Sequence, residues 1–412
     1  MRESAVDGIN RAGRWLATNP QQARAEMRAA LAQLPDSASA WFNYGLAQHQ
    51  CGNPDAAIRA YQLSQRCADP PRRQLANNLS QDLLLTQRFS EGWQAYEGRP
   101  PSPLPLACRQ WYGPCWNGTD PLPAELLVPS EQGFGDTLMA LRFARLLAER
   151  GCRVQVACQE ALVELIAHGC PQVQVRGGLV RAAAPQPWAP MLSLPGMLGV
   201  TATTMPFRAG YLTLQPGLVE QWRRRLRRRP GHRLVALHWQ GKPISEQSLY
   251  SSGRSFALQL LAPLAELAGV DVVCLQKGDG SDQWPGPFAQ RQVAGQPAVS
   301  ASTSFLDSAA ILANCDLLIS SDSAVVHLAG ALGVPAWVLL KAIPEWRWGL
   351  ETEASYWYTS LRLFRQQHPG QWGEPMARVR AALAALLKPG PDGANRMDSA
   401  ASPGLQPFGY PN

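Results

Sequence analysis

Twice along this chain a short apolar run leads through a turn of small residues into a helix with one apolar face, first at 126–150 and again at 317–332. This pattern constrains the fold most, because strands that alternate with helices pack as a parallel sheet covered by those helices. Around the first unit, 126–129, 154–157, 173–175 and 191–194 read as strands. Helices are predicted at 137–150, where Leu138, Leu141, Ala144, Leu147 and Ala148 share a face, and at 160–168. Around the second, strands are predicted at 234–239, 270–275, 317–320 and 335–340, with helices at 256–268, 308–314, 324–332 and 376–387. A predicted helix at 217–228 separates the two sets. The expectation is an α/β protein with two doubly wound, Rossmann-like lobes and a cleft between them.

Residues 1–99 follow a different period. Trp41, Gly45, Gly52, Ala57, Ile58 and Tyr61 have the spacing of a tetratricopeptide helix pair, and the positions of Gly45, Ala57 and Tyr61 recur 35 residues later as Ser80, Gly92 and Tyr96. Ala23, Met27, Ala30 and Pro35 fit the second half of an earlier, degraded unit, so an all-α tetratricopeptide-like arm is expected, with an ordinary amphipathic bundle as the other reading. About three repeats is near the minimum for a stable stack, which predicts that the arm docks on the neighbouring domain. A Pro- and Gly-rich linker is expected at 100–124, the first lobe at 125–218, a basic interlobe segment at 219–232, the second lobe at 233–388 and a disordered tail at 389–412.

Composition narrows the function classes. Of 412 residues, 46% are apolar and 17% charged, as in a globular chain of several domains. The net charge of +7 is concentrated in Arg223–Arg229, so no nucleic-acid footprint is indicated. That run reads as a solvated helix face, with contact to anionic lipid as the other reading. Nine cysteines, an odd number without C-x-x-C spacing, argue against zinc and thioredoxin-like chemistry and for a reducing compartment, the cytoplasm. The N-terminus lacks an apolar signal core, and the longest charge-free stretch, 182–207, holds Pro185, Pro187, Pro190, Pro195 and Pro206. Such a segment does not span a bilayer, so any membrane contact is peripheral.

Three groups of residues carry chemistry. Gly133, Phe134, Gly135, Asp136 and Thr137 end a strand and open a helix, where ligands bind in doubly wound sheets. Leu138 stands where a dinucleotide fingerprint needs its third glycine, which disfavours NAD. From the residues alone, Asp136 is first the cap of its helix and second a general base. Asp322, Ser323, Ala324 and Val325 open another helix, whose free N–H groups and dipole suit a diphosphate. His327 lies one turn in and reads equally as a phosphate or ribose ligand and as a packed histidine. Asp322 beside a phosphate reads as a cap or a loop tie. Lys242, Arg254 and Lys277 follow strands of the second lobe and by topology converge on one anionic ligand, although each alone reads as surface charge. Trp346, Trp348, Trp357 and Tyr358 form an aromatic cluster that suits core packing as well as sugar stacking.

Several spaced motifs together resemble a known group. EQGFGDTL at 131–138, LQKG at 275–278, SDSAVVHLAGALG at 321–333, PEWRW at 344–348 and RLFRQ at 362–366 are similar to bacterial tetratricopeptide proteins carrying a heptosyltransferase-like (glycosyltransferase family nine) domain, as are Gly92-Trp93 and Tyr96-Glu97. The resemblance implies a GT-B fold. It implies inverting, metal-independent transfer of a sugar, hexosyl or heptosyl, from a nucleotide-diphosphate donor to a glycan or protein hydroxyl, with no further cofactor. The donor would bind the second lobe at 322–325 beside His327, and the acceptor the first lobe with Asp136 as base. The insert 241–253 and Lys341-Ala342-Ile343 depart from the family pattern on the donor side. The alternative is a non-catalytic adaptor whose repeat arm binds a protein partner.

Overall fold

The computed structural model of the chain describes residues 2–67, 73–179, 181 and 185–388, so the tail expected at 389–412 lies outside the described residues. The N-terminal part is helical. α1 (Arg2–Trp15), α2 (Pro20–Gln33), α3 (Ala38–Gln50), α4 (Pro54–Cys67), α5 (Arg73–Leu85) and α6 (Phe89–Tyr96) each pack on the next. Local chemistry starts two of them: the Asn19 side chain accepts from Gln22 N, and Ser37 accepts from Ala40 N. Gly45 lets α3 meet α4, since a methyl there would lie 2.4 Å from Tyr61 Cε1. The segment expected as linker holds a helix, α7 (Pro103–Tyr112). Its prolines, Pro103 and Pro105, fall in the first turn, where the missing N–H costs nothing.

The first lobe runs β1 (Glu125–Pro129), α8 (Phe134–Glu149), β2 (Arg153–Cys158), α9 (Glu160–Gly169) and β3 (Gln174–Gly177), with the strands parallel in the order β1-β2-β3. The strand predicted at 191–194 is not one. Residues 191–193 form a 3-10 turn that continues into α10 (Leu194–Met197). Pro195 is tolerated in the first turn of a helix but would remove a ladder bond inside a sheet. The place beside β1 goes to Trp188 instead: Leu127 N donates to Pro187 O and Ala189 N to Leu127 O, each at 2.9 Å.

The second lobe follows α11 (Pro216–Leu226) and comprises β4 (Arg233–His238), α12 (Ala262–Ala265), β5 (Val270–Cys274), α13 (Gln296–Ala301), α14 (Phe305–Leu312), β6 (Leu317–Ser321), α15 (Ala324–Leu332), β7 (Ala336–Leu340), β8 (Leu361–Arg365) and α16 (Gly373–Leu386). Its five strands are parallel in the order β5-β4-β6-β7-β8. The long helix expected at 256–268 is only a 3-10 turn followed by α12, because Pro263 can occupy a first turn but not a helix interior. Alternate residues of each strand enter different cores: Leu234 and Ala236 one, Val235 and Leu237 the other. The basic run is partly tied down. Arg223 and Arg224 pair with Glu220 on the surface, whereas Arg228 and Arg229 reach Asp316 and Asp271. All nine cysteines are free thiols, and among the described residues no helix is long and apolar enough to cross a membrane.

Two consequences position the site. Strand order reverses at β4, with β5 on one side and β6 on the other, so the crevice outside the carboxyl ends of β4 and β6 is where such a sheet binds ligands. The arm also docks against both lobes. Trp93 Nε1 donates to Val200 O at 2.8 Å, and the ring meets Trp346 edge-on at 5.5 Å. Arg99 holds both carboxylate oxygens of Glu131, at 2.7 and 2.9 Å, just before the first glycine turn.

Candidate active site

The first turn closes on itself. Asp136, expected as the cap of its helix, lies instead at the third position of α8, whose N-cap is Gly133, and accepts the Gly133 N–H at 3.0 Å through Oδ2. Its Oδ1 accepts from Arg347 Nη2 at 2.9 Å, which crosses from the second lobe. Gly135 does not open the backbone to a ligand. The other lobe takes that space, and a methyl at Gly135 would lie 2.9 Å from His327 Cδ2 and 3.3 Å from Ala324 Cα. Phe134 packs edge-on to Phe305 at 5.0 Å, and Thr137 is buried with its hydroxyl on Gln159 Oε1 at 3.0 Å.

The second turn lacks a side-chain cap. Ser323 caps α15 by position but makes no side-chain cap bond, and its hydroxyl lies 3.2 Å from that of Ser320. Asp322 is buried beside it, and the buried Ser321 hydroxyl has no partner. Ala324 and Val325 are half-buried. No side chain therefore caps the first N–H groups of α15, at the positive end of the helix dipole, although Val326 N bonds Ser323 O and Gly135 packs over Ala324. His327 is fully buried, stacked on Trp348 at 5.4 Å, with Nδ1 3.0 Å from Tyr358 Oη and Nε2 unpartnered. Burial, reinforced by Arg347, Arg142 and Arg254, holds its pKa well below the ordinary histidine value, so the ring is neutral. At the end of β4, burial likewise pushes His238 down to about 4.

Between the turns runs a chain of alternating charges. Arg347 also lies 3.4 Å from Glu345, Glu345 lies 3.4 Å from Arg254 Nη1, and Arg254 Nε lies 3.6 Å from Glu246. Burial pushes the Glu345 carboxyl up, with Asp322 and Asp136 acting the same way and Arg347 and Arg254 against it. Lys341, just beyond β7, is pushed down to about 8, chiefly by burial. Arg347 stays above its usual range because Asp136, Glu345 and Asp322 outweigh its burial. The cations are thus held by carboxylates that an incoming anion would have to outcompete.

Of the basic residues expected to converge, Arg254 belongs to this cluster. Lys242 is exposed at its edge, 5.7 Å from the centre of the Phe134 ring. Lys277 does not join it. Its ammonium binds Val299 O and Ser300 O at the end of α13, which uses the charge on a helix C-terminus. Glu246, Glu345 and Arg347 have no site role in the sequence reading, and Lys341 enters it only as a departure from the family pattern. The one available signal was the PEWRW segment, where two charges lie among residues that bury. Trp346, Trp348, Trp357 and Tyr358 are all buried, which settles that cluster as core. Among the described residues, no group of three or more His, Cys, Asp and Glu side chains is arranged to hold a metal ion.

A sequence profile for Glycosyltransferase family 9 (heptosyltransferase) matches residues 287–356. That stretch contains Asp322–His327, Lys341, Glu345 and Arg347, but not Asp136 or Arg254. The match supports glycosyl transfer as the class of chemistry. Protein FlbA of Caulobacter vibrioides is 29% identical over 378 residues, covering 85% of this chain and 62% of that protein, so the chain spans less than two thirds of that relative. A glycosyl transferase family 9 structure from Veillonella parvula aligns with a TM-score of 0.48 at 12% identity, over 64% of this chain and 97% of that one. The ADP-heptose lps heptosyltransferase II of E. coli aligns with a TM-score of 0.43 at 14% identity, over 64% and 98%.

Proposed function

We propose that the chain is a GT-B glycosyltransferase that moves a sugar from a nucleoside-diphosphate donor to a hydroxyl of a glycan or protein. The observation that carries this reading is the uncapped start of α15 at the β4/β6 switch point, where the charges of Lys341 and Arg347 interact with Asp322 and those of Arg254 and Arg347 with His327. Fixed N–H groups and cations in a half-buried site are what a departing diphosphate requires. Asp136 is the proposed base. Each carboxylate oxygen has two lone pairs, so the bonds from Gly133 and Arg347 leave both oxygens able to accept a proton. The acceptor hydroxyl gives its proton to Asp136 and attacks the anomeric carbon. The bond from that carbon to the diphosphate breaks on the opposite face, which inverts the configuration.

Calorimetric titration with nucleoside diphosphates of different bases and their sugar conjugates tests the proposal. Binding of one base class is expected, weakened about tenfold or more in Arg254→Ala, the usual scale for a charge-assisted contact. With a donor found, Asp136→Asn is expected to bind it and not turn over. A folded protein that binds nothing in the panel would sink the reading.

A further inference from the structure

The insert 241–253, which departs from the family pattern, is anchored in the helical arm. Leu249 packs with Leu16, Ala23 and Ala47, and Gln50 Nε2 donates to Leu249 O at 2.9 Å. Tyr250 is buried among α3, α4 and α5. Its hydroxyl donates to Asp82 Oδ2 at 3.0 Å and lies 2.9 Å from Tyr61 Oη, and its ring lies 3.9 Å from the ring of His49. His49 Nδ1 in turn lies 2.6 Å from Asp82 Oδ1, so both tyrosine hydroxyls, both Asp82 oxygens and His49 Nδ1 are bonded within this buried socket. The backbone of the same loop also holds Lys341, beyond β7 of the same lobe, since its ammonium binds Tyr250 O and Ser252 O. The loop closes through Ser255, whose hydroxyl bonds Glu246 and accepts Gly241 N–H at 2.9 Å, and Arg254 emerges between them.

We propose that Tyr250 is a positioning residue through which the arm sets Arg254 and Lys341 at the anion site. The arm groove is then committed to this chain's own loop, and a protein partner entering it must first release the donor side. This rests on the proposed donor site for its ligand but not for its geometry. Buried, fully partnered polar sockets specify one arrangement, and losing one member leaves the others unsatisfied.

The experiment is hydrogen exchange on wild type, Tyr250→Phe and Tyr250→Ala, with calorimetric titration of ADP, GDP and UDP on the same samples. Tyr250→Phe keeps the ring and removes the hydroxyl. Exchange of amides 251–256 is expected to rise about tenfold while α3 to α5 stay protected. The affinity for whichever nucleotide binds is expected to fall about tenfold in the wild-type background and not at all in an Arg254→Ala/Lys341→Ala background, where both positioned cations are gone. A merely destabilising change would weaken binding in both backgrounds, and that result overturns the proposal. So does unchanged exchange at 251–256 in both variants, Tyr250→Ala lacking the ring altogether. If wild type binds no nucleotide, the donor reading fails and the exchange result alone decides the coupling.

Discussion

The two strand–turn–helix units share one local plan and use it oppositely. At α8 the helix start is satisfied from within: Asp136 takes the Gly133 N–H, and the neighbouring lobe fills the space over Gly135. At α15 the cap residue makes no side-chain cap bond, and Ser321 Oγ and His327 Nε2 remain unpartnered. A helix start that caps itself has spent its electrostatic capacity, whereas one left bare keeps it for a ligand. The acidic turn thus suits proton transfer and the bare turn suits an anion. Arg347 joins them, because it pairs with Asp136 of one lobe and Glu345 of the other.

The sharpest way to break this contrast is Arg347→Leu. Asp136 and Glu345 would both lose a cation in a largely buried site, and orphaned buried charges cost about 3–5 kcal/mol. Urea unfolding is expected to show that loss, and a change below about 1 kcal/mol would mean that the two turns do not share Arg347.

Acid sharpens the contrast between lobes. His238 and His327 belong to the second lobe and both fold as neutral rings, whereas His168 of the first is exposed. A folded pKa of about 4 for His238 against an ordinary 6.5 means that the unfolded chain takes up the proton first as pH falls. The stability is complete above 6.5 and is lost towards 4, by about 3 kcal/mol for this group. His327 adds in the same direction. Thermal unfolding between about pH 7 and 4.5 is expected to show this slope, made shallower by His238→Asn.

The smallest effect separates two glycines of one turn. Gly135→Ala is expected to cost about 1–3 kcal/mol by overpacking against His327 and Ala324. Gly133→Ala, at φ −76° with ordinary contacts, is expected to stay within about 0.5 kcal/mol. Equal costs in denaturant titrations would place the lobes further apart than Gly135 indicates.

Periodicity made most strands and long helices legible, because apolar alternation and helical faces are local. Failures cluster where proline changes the outcome. Pro195 and Pro263 each lie in helical first turns, so a strand expected at 191–194 became helical and a long helix at 256–268 was cut to one turn. At the site, Asp136 and the start of α15 were legible from strand–turn–helix order. The partners that give them meaning were not: Arg347 is 211 residues from Asp136, and no local pattern encodes that pairing. Lys277 misled for the same reason, since its helix-end carbonyls arrive from 22 and 23 residues away.

Trp93 bears on how a chain of this plan can change over time. Its indole is bonded to the first lobe at Val200 and packed on Trp346 of the second. An arm attached in this way is not a cassette. Cutting it off would bare a tryptophan-lined seam on the lobes, and grafting a foreign arm would leave that seam unmatched. Lineages of such proteins are therefore expected to exchange arm and lobes together, with drift in one half answered by compensating drift in the other.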